Sequence, residues 1–222
     1  MQVVRGALVD DLWHRAFSSL QIGNRRVTLH DHIALHGEPR LALKSTVVKI
    51  ELQVNDLDRH YYATHGLTIA QHPSETAERV MVRVLAFALN AAERLEFGKG
   101  LSTDDEPDLW ERDLTGGIER WIEVGQPDEQ RIRRACGRAR EVRVYPYGGR
   151  SAGIWWEKTR AAVERCGNLR VTAIAPESAA ALAALHGRGK SLQVLVQDGQ
   201  VQAIDDDTTI DVALAPWFGA SD

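Results

Sequence analysis

Cysteine is scarce in this chain: 222 residues hold two, Cys136 and Cys166. They stand far apart and outside any zinc-ligand spacing, which argues against a disulfide framework or a zinc ribbon. Both are read as reduced, buried thiols. Long apolar runs are missing too, since no stretch reaches the roughly eighteen residues a membrane helix needs. Met1 to Leu20 carries Asp10, Asp11, His14 and Arg15 where a signal peptide requires an apolar core. A cytoplasmic, non-membrane protein is therefore expected. Positive charge is not in excess either: the net charge is −4 and the pI near 6.1. No global field draws the molecule onto nucleic acid, so any such contact must come from a local basic patch.

What is present suits one globular domain with a short appendage, at 44% hydrophobic and 26% charged residues. Residues 1–40 are weakly periodic and read as that appendage, with a disordered chain as one expectation. His30, Asp31, His32 and His36 within it resemble a metal-ligand run, but no further ligand follows nearby and no packed face accompanies them. From Ser45 the pattern sharpens. Val48, Ile50, Leu52 and Val54 alternate with Lys49, Glu51 and Gln53, the period-two signature of a half-buried strand. A second strand is expected over Arg59 to Ile69, interrupted near His65-Gly66, and the two form an N-terminal strand pair.

Ser74 is the expected cap of the next helix, with Glu75 and Glu78 favourably placed in its first turn. Val80 to Leu95 is apolar on nearly every side, so this helix should be central and buried. Two short strands, Leu109 to Asp113 and Ile118 to Val124, follow around a Leu114-Thr115-Gly116-Gly117 loop. A charged helix is expected over 128–140. Strand and helix then alternate: Val142 to Tyr145, Ala152 to Cys166, Leu169 to Ala175, Glu177 to His186 and Leu192 to Val196. A hairpin at Asp198-Gly199 and an alternating stretch from Thr209 to Ala215 close the chain. The class is α/β, a mixed sheet flanked by helices.

Chemistry concentrates on the short hairpin. With Asp113 facing Ile118, antiparallel counting brings Asp108 opposite Glu123. Directly opposed like charges are destabilising, and a hard divalent cation held by oxygen ligands would compensate. The alternative is an exposed hairpin whose charges point into water, and a single bulge would turn Asp108 to the other face. Arg131, Arg133, Arg134, Arg138 and Arg140 form the strong basic cluster of the chain. They offer a phosphate-binding face or a solvated helix face paired with Glu129 and Glu141.

Several runs, each weak alone and specific in order, carry a resemblance. They are Arg59-His60-Tyr61-Tyr62, His72-Pro73-Ser74-Glu75-Thr76, Leu85 to Ala91, Pro107-Asp108-Leu109-Trp110 and Trp121 to Pro127. Over residues 41–217 the chain resembles the bacterial YaeQ family, which in turn resembles the PD-(D/E)XK nucleases. The resemblance implies a restriction-endonuclease-like fold in a domain spanning residues 41–218, and its beginning at Leu41 implies that residues 1–40 are an extension or the product of a misassigned start. It also implies Mg²⁺ or Mn²⁺ on Asp108 and Glu123, with Ser74 and Glu75 contributed by the first helix. The lysine of that motif falls on Gly125, which has no side chain, so Gln126 or a migrated arginine would replace it. Two readings follow. One is a metal-dependent nuclease using Asp108, Glu123, Gln126, Glu75 and Ser74, with Arg131, Arg134 and Arg138 on the nucleic acid. The other is an inactive module on the same fold that binds nucleic acid or a transcription assembly. A monomer is expected in either case.

Two imitations are set aside. Gly187-Arg188-Gly189-Lys190-Ser191 looks like the end of a phosphate loop, yet the first glycine would fall on Ala184 and the context is helix then strand. Trp155-Trp156 reads as packing and not as a base-stacking platform.

Overall fold

The computed structural model describes residues 20–22, 25–27, 45–99 and 105–219, and the chain divides into two compact units, Met1–Leu43 and Lys44–Asp222. In the first unit β1 (Leu20–Ile22) and β2 (Arg25–Val27) pair antiparallel, Leu20 opposite Val27. The weak periodicity there gives no hint of this ladder. His30, His32 and His36 lie outside the described residues.

The second unit begins with β3 (Thr46–Asp56) and β4 (Tyr61–Gln71), an antiparallel pair in unbroken register from Thr46↔Gln71 to Asp56↔Tyr61. Val48, Ile50, Leu52 and Val54 are all buried, as their alternation predicts. The expected interruption at His65-Gly66 does not occur, because Gly66 pairs with Glu51 and the extended backbone runs through it.

Helix α1 (Ala77–Asn90) is capped by Thr76, whose side chain accepts from the Arg79 N–H at 3.1 Å, and not by Ser74. The Ser74 hydroxyl instead lies 2.7 Å from His72 Nδ1, in solvent. The helix also stops earlier than Leu95. Asn90 turns its amide back onto the Ala86 carbonyl (2.6 Å) and across to the Tyr145 hydroxyl (2.8 Å), and Ala91 leaves helical geometry. Leu95–Phe97 then forms the short strand β5.

Strands β6 (Leu109–Arg112) and β7 (Ile118–Val124) are the expected hairpin. Helix α2 (Glu129–Cys136) ends at Gly137, short of the predicted 140, and β8 (Ala139–Tyr145) starts at once. After it come α3 (Arg150–Val163), β9 (Leu169–Ile174), α4 (Pro176–Ala184), β10 (Lys190–Gln197) and β11 (Gln200–Ile204). The single C-terminal stretch expected from Thr209 is two strands, β12 (Thr209–Asp211) and β13 (Leu214–Phe218), and they join different sheets.

The expected mixed sheet with flanking helices is thus divided in two. One sheet has the order β12-β11-β10-β3-β4, the other β13-β9-β8-β7-β6-β5. One core packs α1 and α4 between them, joining Val48, Leu52 and Ile69 to Leu85, Leu182, Leu109, Ile122 and Val124. That position explains why α1 is apolar all round: it faces a sheet on either side. The second core packs α2 and α3 on the far face of the six-stranded sheet, through Trp121, Val142, Val144, Ile132 and Trp156. Among the described residues, no helix is long and apolar enough to cross a membrane. Cys136 and Cys166 are free and partly buried, and burial, reinforced by Cys166, pushes the Cys136 thiol up to about 12.

Candidate functional site

The hairpin register decides where the two acids stand. Leu109 pairs with Ile122 and Trp110 with Trp121, so continuing one position sets Asp108 against Glu123, as counting predicts. The loop end differs: Arg112, not Asp113, faces Ile118, and a bulge between Glu111 and Arg112 restores the register beyond it. Asp113 folds into the loop, where its Oδ1 accepts from the N–H groups of Thr115 and Gly117 at 2.7 and 2.8 Å.

Both acids are buried, Asp108 to 4% and Glu123 to 3% exposure. Alternation along β7 sends Ile122 and Val124 toward α1, and Trp121 toward α2. Asp108 is engaged from the α1 side: its Oδ1 accepts from Arg79 Nη2 at 2.7 Å, and Arg83 Nε lies 3.6 Å away. Its Oδ2 accepts from the Val124 N–H at 2.7 Å. Glu123 is engaged from the α2 side, its Oε1 accepting from Trp121 Nε1 at 2.7 Å and Arg131 Nε at 2.8 Å. The opposed backbone positions therefore serve two different sets of cations.

Glu75 completes the first set. It is buried, and its Oε1 accepts from Arg79 Nη1 (2.8 Å) and Arg83 Nη1 (3.2 Å). Two carboxylates thus share two guanidiniums, Arg79 bridging them with one Nη on each. Arg83 is fully buried, stacks 5.3 Å over the Phe97 ring, and leaves Nε and Nη2 without a hydrogen-bond partner. Sequence reasoning missed both arginines. The signal was available: Arg79 and Arg83 stand four positions apart on one helix face, with Glu75 four before Arg79 and just ahead of the cap, and Arg83 interrupts an otherwise apolar run that no solvated charge would enter.

This arrangement overturns the expected metal centre. Among the described residues no three His, Cys, Asp or Glu side chains gather to hold a metal ion. The compensating positive charge comes from the protein itself, and the Mg²⁺ or Mn²⁺ expectation for Asp108 and Glu123 is withdrawn. With it falls the metal-dependent nuclease reading, whose hydrolytic water needed that ion, and the link to the PD-(D/E)XK nucleases loses the site on which it stood.

The remaining candidates disperse. Gln126 turns away from the acids, donating to the Tyr147 carbonyl (3.1 Å) and the Ser151 hydroxyl (2.9 Å). Gly125 has φ of +94°, a conformation in which a lysine would be strained. Of the basic residues, Arg131 is spent inward on Glu123 and on the Glu106 carbonyl at 2.7 Å. Arg134 is exposed with Asp105 at 3.8 Å, and Arg138 lies 5.2 Å over the Trp121 ring. Glu123 is held well above the usual carboxylate range, at about 7. Burial is the main cause and the charge of Asp108 the second, while Arg131 and Trp121 pull it back down.

The sequence pattern of the YaeQ protein family matches residues 41–214. The chain belongs to the YaeQ family. It is 43% identical over 177 residues to the YaeQ protein of Escherichia coli (strain K12), covering 80% of this chain and 98% of that one. The YaeQ protein of Salmonella typhi is 41% identical over the same length, with the same shares covered. The crystal structure of YaeQ from Xanthomonas axonopodis pv. citri superposes with a TM-score of 0.76 at 52% identity, covering 78% of this chain and 98% of that one. That of Pseudomonas syringae YaeQ gives 0.76 at 38% identity, over 79% and 97%.

Proposed function

We propose that this YaeQ-family chain binds the phosphate backbone of nucleic acid without cleaving it, through the outward arginines of α2, the turn that follows and the start of β8. The observation that carries this reading is the division of labour among those arginines. Arg131 neutralises Glu123 from within, while Arg134 and Arg140 stay outward, their side chains 47% and 77% exposed, with Arg140 meeting Glu119 at 3.2 Å. Arg138, exposed beside them, is steadied by the Trp121 ring. With Glu123 matched by Arg131 on this side, and Glu75 and Asp108 matched by Arg79 and Arg83 on the other, the buried acids add little repulsion toward an incoming phosphate. Exposed guanidiniums held in place pair well with phosphate oxygens.

A footprint of about three arginines gives weak, sequence-independent binding whose log K falls with log salt at a slope of about −3. Fluorescence anisotropy with labelled single- and double-stranded oligonucleotides at low salt tests this. Arg134→Ala with Arg138→Ala should lower affinity and reduce the slope by about 2. An intact protein that binds neither oligonucleotide at low salt, or a double variant that binds as well as the parent, would refute the reading.

A further inference from the structure

The two large sheets present four edges, and three are guarded against pairing with another chain. β12 and β5 are three residues long, β5 with Glu96 at its centre, and β13 carries Pro216 and a break in register beside it. Short strands, charges, prolines and bulges are the usual devices for this purpose. β4 has none of them. It runs eleven residues, Tyr61–Gln71, in unbroken register with β3, and contains no Lys, Arg, Asp, Glu or Pro. Its His65 is tilted toward the neutral ring, because burial lowers its pKa. β4 is the last strand of its sheet, and among the described residues none pairs with its outer side.

The outward face of this strand is complementary to itself. Tyr62 is 60% exposed, one of the few large apolar side chains left in solvent among the described residues. Four residues on, and so on the same face, Gly66 is open: a Cβ there would meet nothing within 4 Å. Gly66 floors a groove of about 350 Å³ walled by Lys49, Glu51, Thr68 and Lys190. An aromatic ring laid across a strand glycine on the neighbouring strand is a stabilising pair in sheets. When two β4 strands run antiparallel about a two-fold axis at Thr64, Tyr62 of each copy falls opposite Gly66 of the other. A foreign strand could satisfy one of these features, whereas a second copy satisfies both at once, as an isologous contact must.

We infer that the chain forms a symmetric dimer through β4, with Thr64 on the two-fold axis and Tyr62 of each copy covering Gly66 of the other, joining two five-stranded sheets into one. This departs from the single copy expected from the sequence and is independent of the nucleic-acid reading. The ladder runs from Tyr61 to Leu67 on each side, a contact at the small end of specific interfaces, so micromolar association is expected.

Sedimentation equilibrium of the full chain tests it. The parent should be dimeric at high micromolar concentration. Thr64→Lys sets two ammonium groups against each other across the axis and should weaken association by about an order of magnitude. Thr64→Glu should do the same, and mixing the two variants should restore a dimer holding one of each. Thr64 is exposed, so both should fold, which circular dichroism verifies. Tyr62→Ala should also weaken the dimer. A parent that stays monomeric, single charge variants that dimerise as well as the parent, or a mixture that stays monomeric would each overturn the inference.

Discussion

Replacing Asp108 separates an ion-pair network from a repelling acid pair by the sign of its effect. The Asp108 side chain is 4% exposed, and it faces Arg79 at 2.7 Å, the fully buried Arg83 at 3.6 Å and the Val124 N–H at 2.7 Å. Asp108→Ala strips all three at once. Removing one partner of a buried pair costs about 3–5 kcal/mol, because the cation left behind keeps its desolvation penalty. Arg79 retains Glu75, which places the expectation at the lower end, about 3 kcal/mol. In a domain of this size that is a fall on the order of 10 °C in Tm. Asp108→Asn keeps an acceptor for Val124 and loses only the charge, so about 2 kcal/mol is expected. Urea unfolding followed by circular dichroism measures both, with an unchanged slope confirming that the native state is the same. If the acids chiefly repelled each other, Asp108→Asn would relieve strain. Unchanged or increased stability in that variant would refute the ion-pair reasoning.

Further consequences follow from the same contacts. Glu123 titrates near 7 in the fold against 4.5 when unfolded, so the folded state binds its proton more tightly; the resulting stability is complete below pH 4.5 and is lost as pH rises through about 7. The loss is on the order of 3 kcal/mol, and Glu123→Gln should flatten that part of the pH–stability curve. Gly98→Ala would drive a Cβ into the Pro107 carbonyl oxygen beside Asp108, and about 1–3 kcal/mol should be lost in urea unfolding. Asn90→Leu removes the partner of the Tyr145 hydroxyl and of Arg143 Nη1 at 2.8 Å each; about 1–3 kcal/mol of destabilisation is expected by the same measurement.

Where one physical preference dominates, the chain is readable in advance. The β3 alternation and the all-round apolarity of α1 each follow from periodicity. The misplaced boundaries are those where a tertiary partner decides. Asn90 ends α1 with its amide on the Tyr145 hydroxyl, and a partner 55 positions away that meets it only in the folded chain cannot be seen from position 90. Gly137 stops α2 inside a run of arginines that suits helix equally well, so the local pattern carried the helix on to 140. The split of the C-terminal stretch between β12 and β13 depends on two sheets being within reach, which local pattern does not encode. At the candidate site, counting from Asp113 opposite Ile118 misplaced the loop end, a bulge beside Glu111 offset that error, and the counterions of the acids were misjudged. Arg79 and Arg83 project from α1, which reaches the hairpin only through the packing of the central helix layer.

The most direct test is X-ray diffraction from crystals of the chain grown with Mn²⁺, located by its anomalous signal. No ion should appear between Asp108 and Glu123, with Arg79 still on the first and Arg131 on the second. A Mn²⁺ ion ligated by both carboxylates at about 2.0–2.6 Å, with the arginines swung aside, would contradict the claim that these acids are neutralised from within the protein.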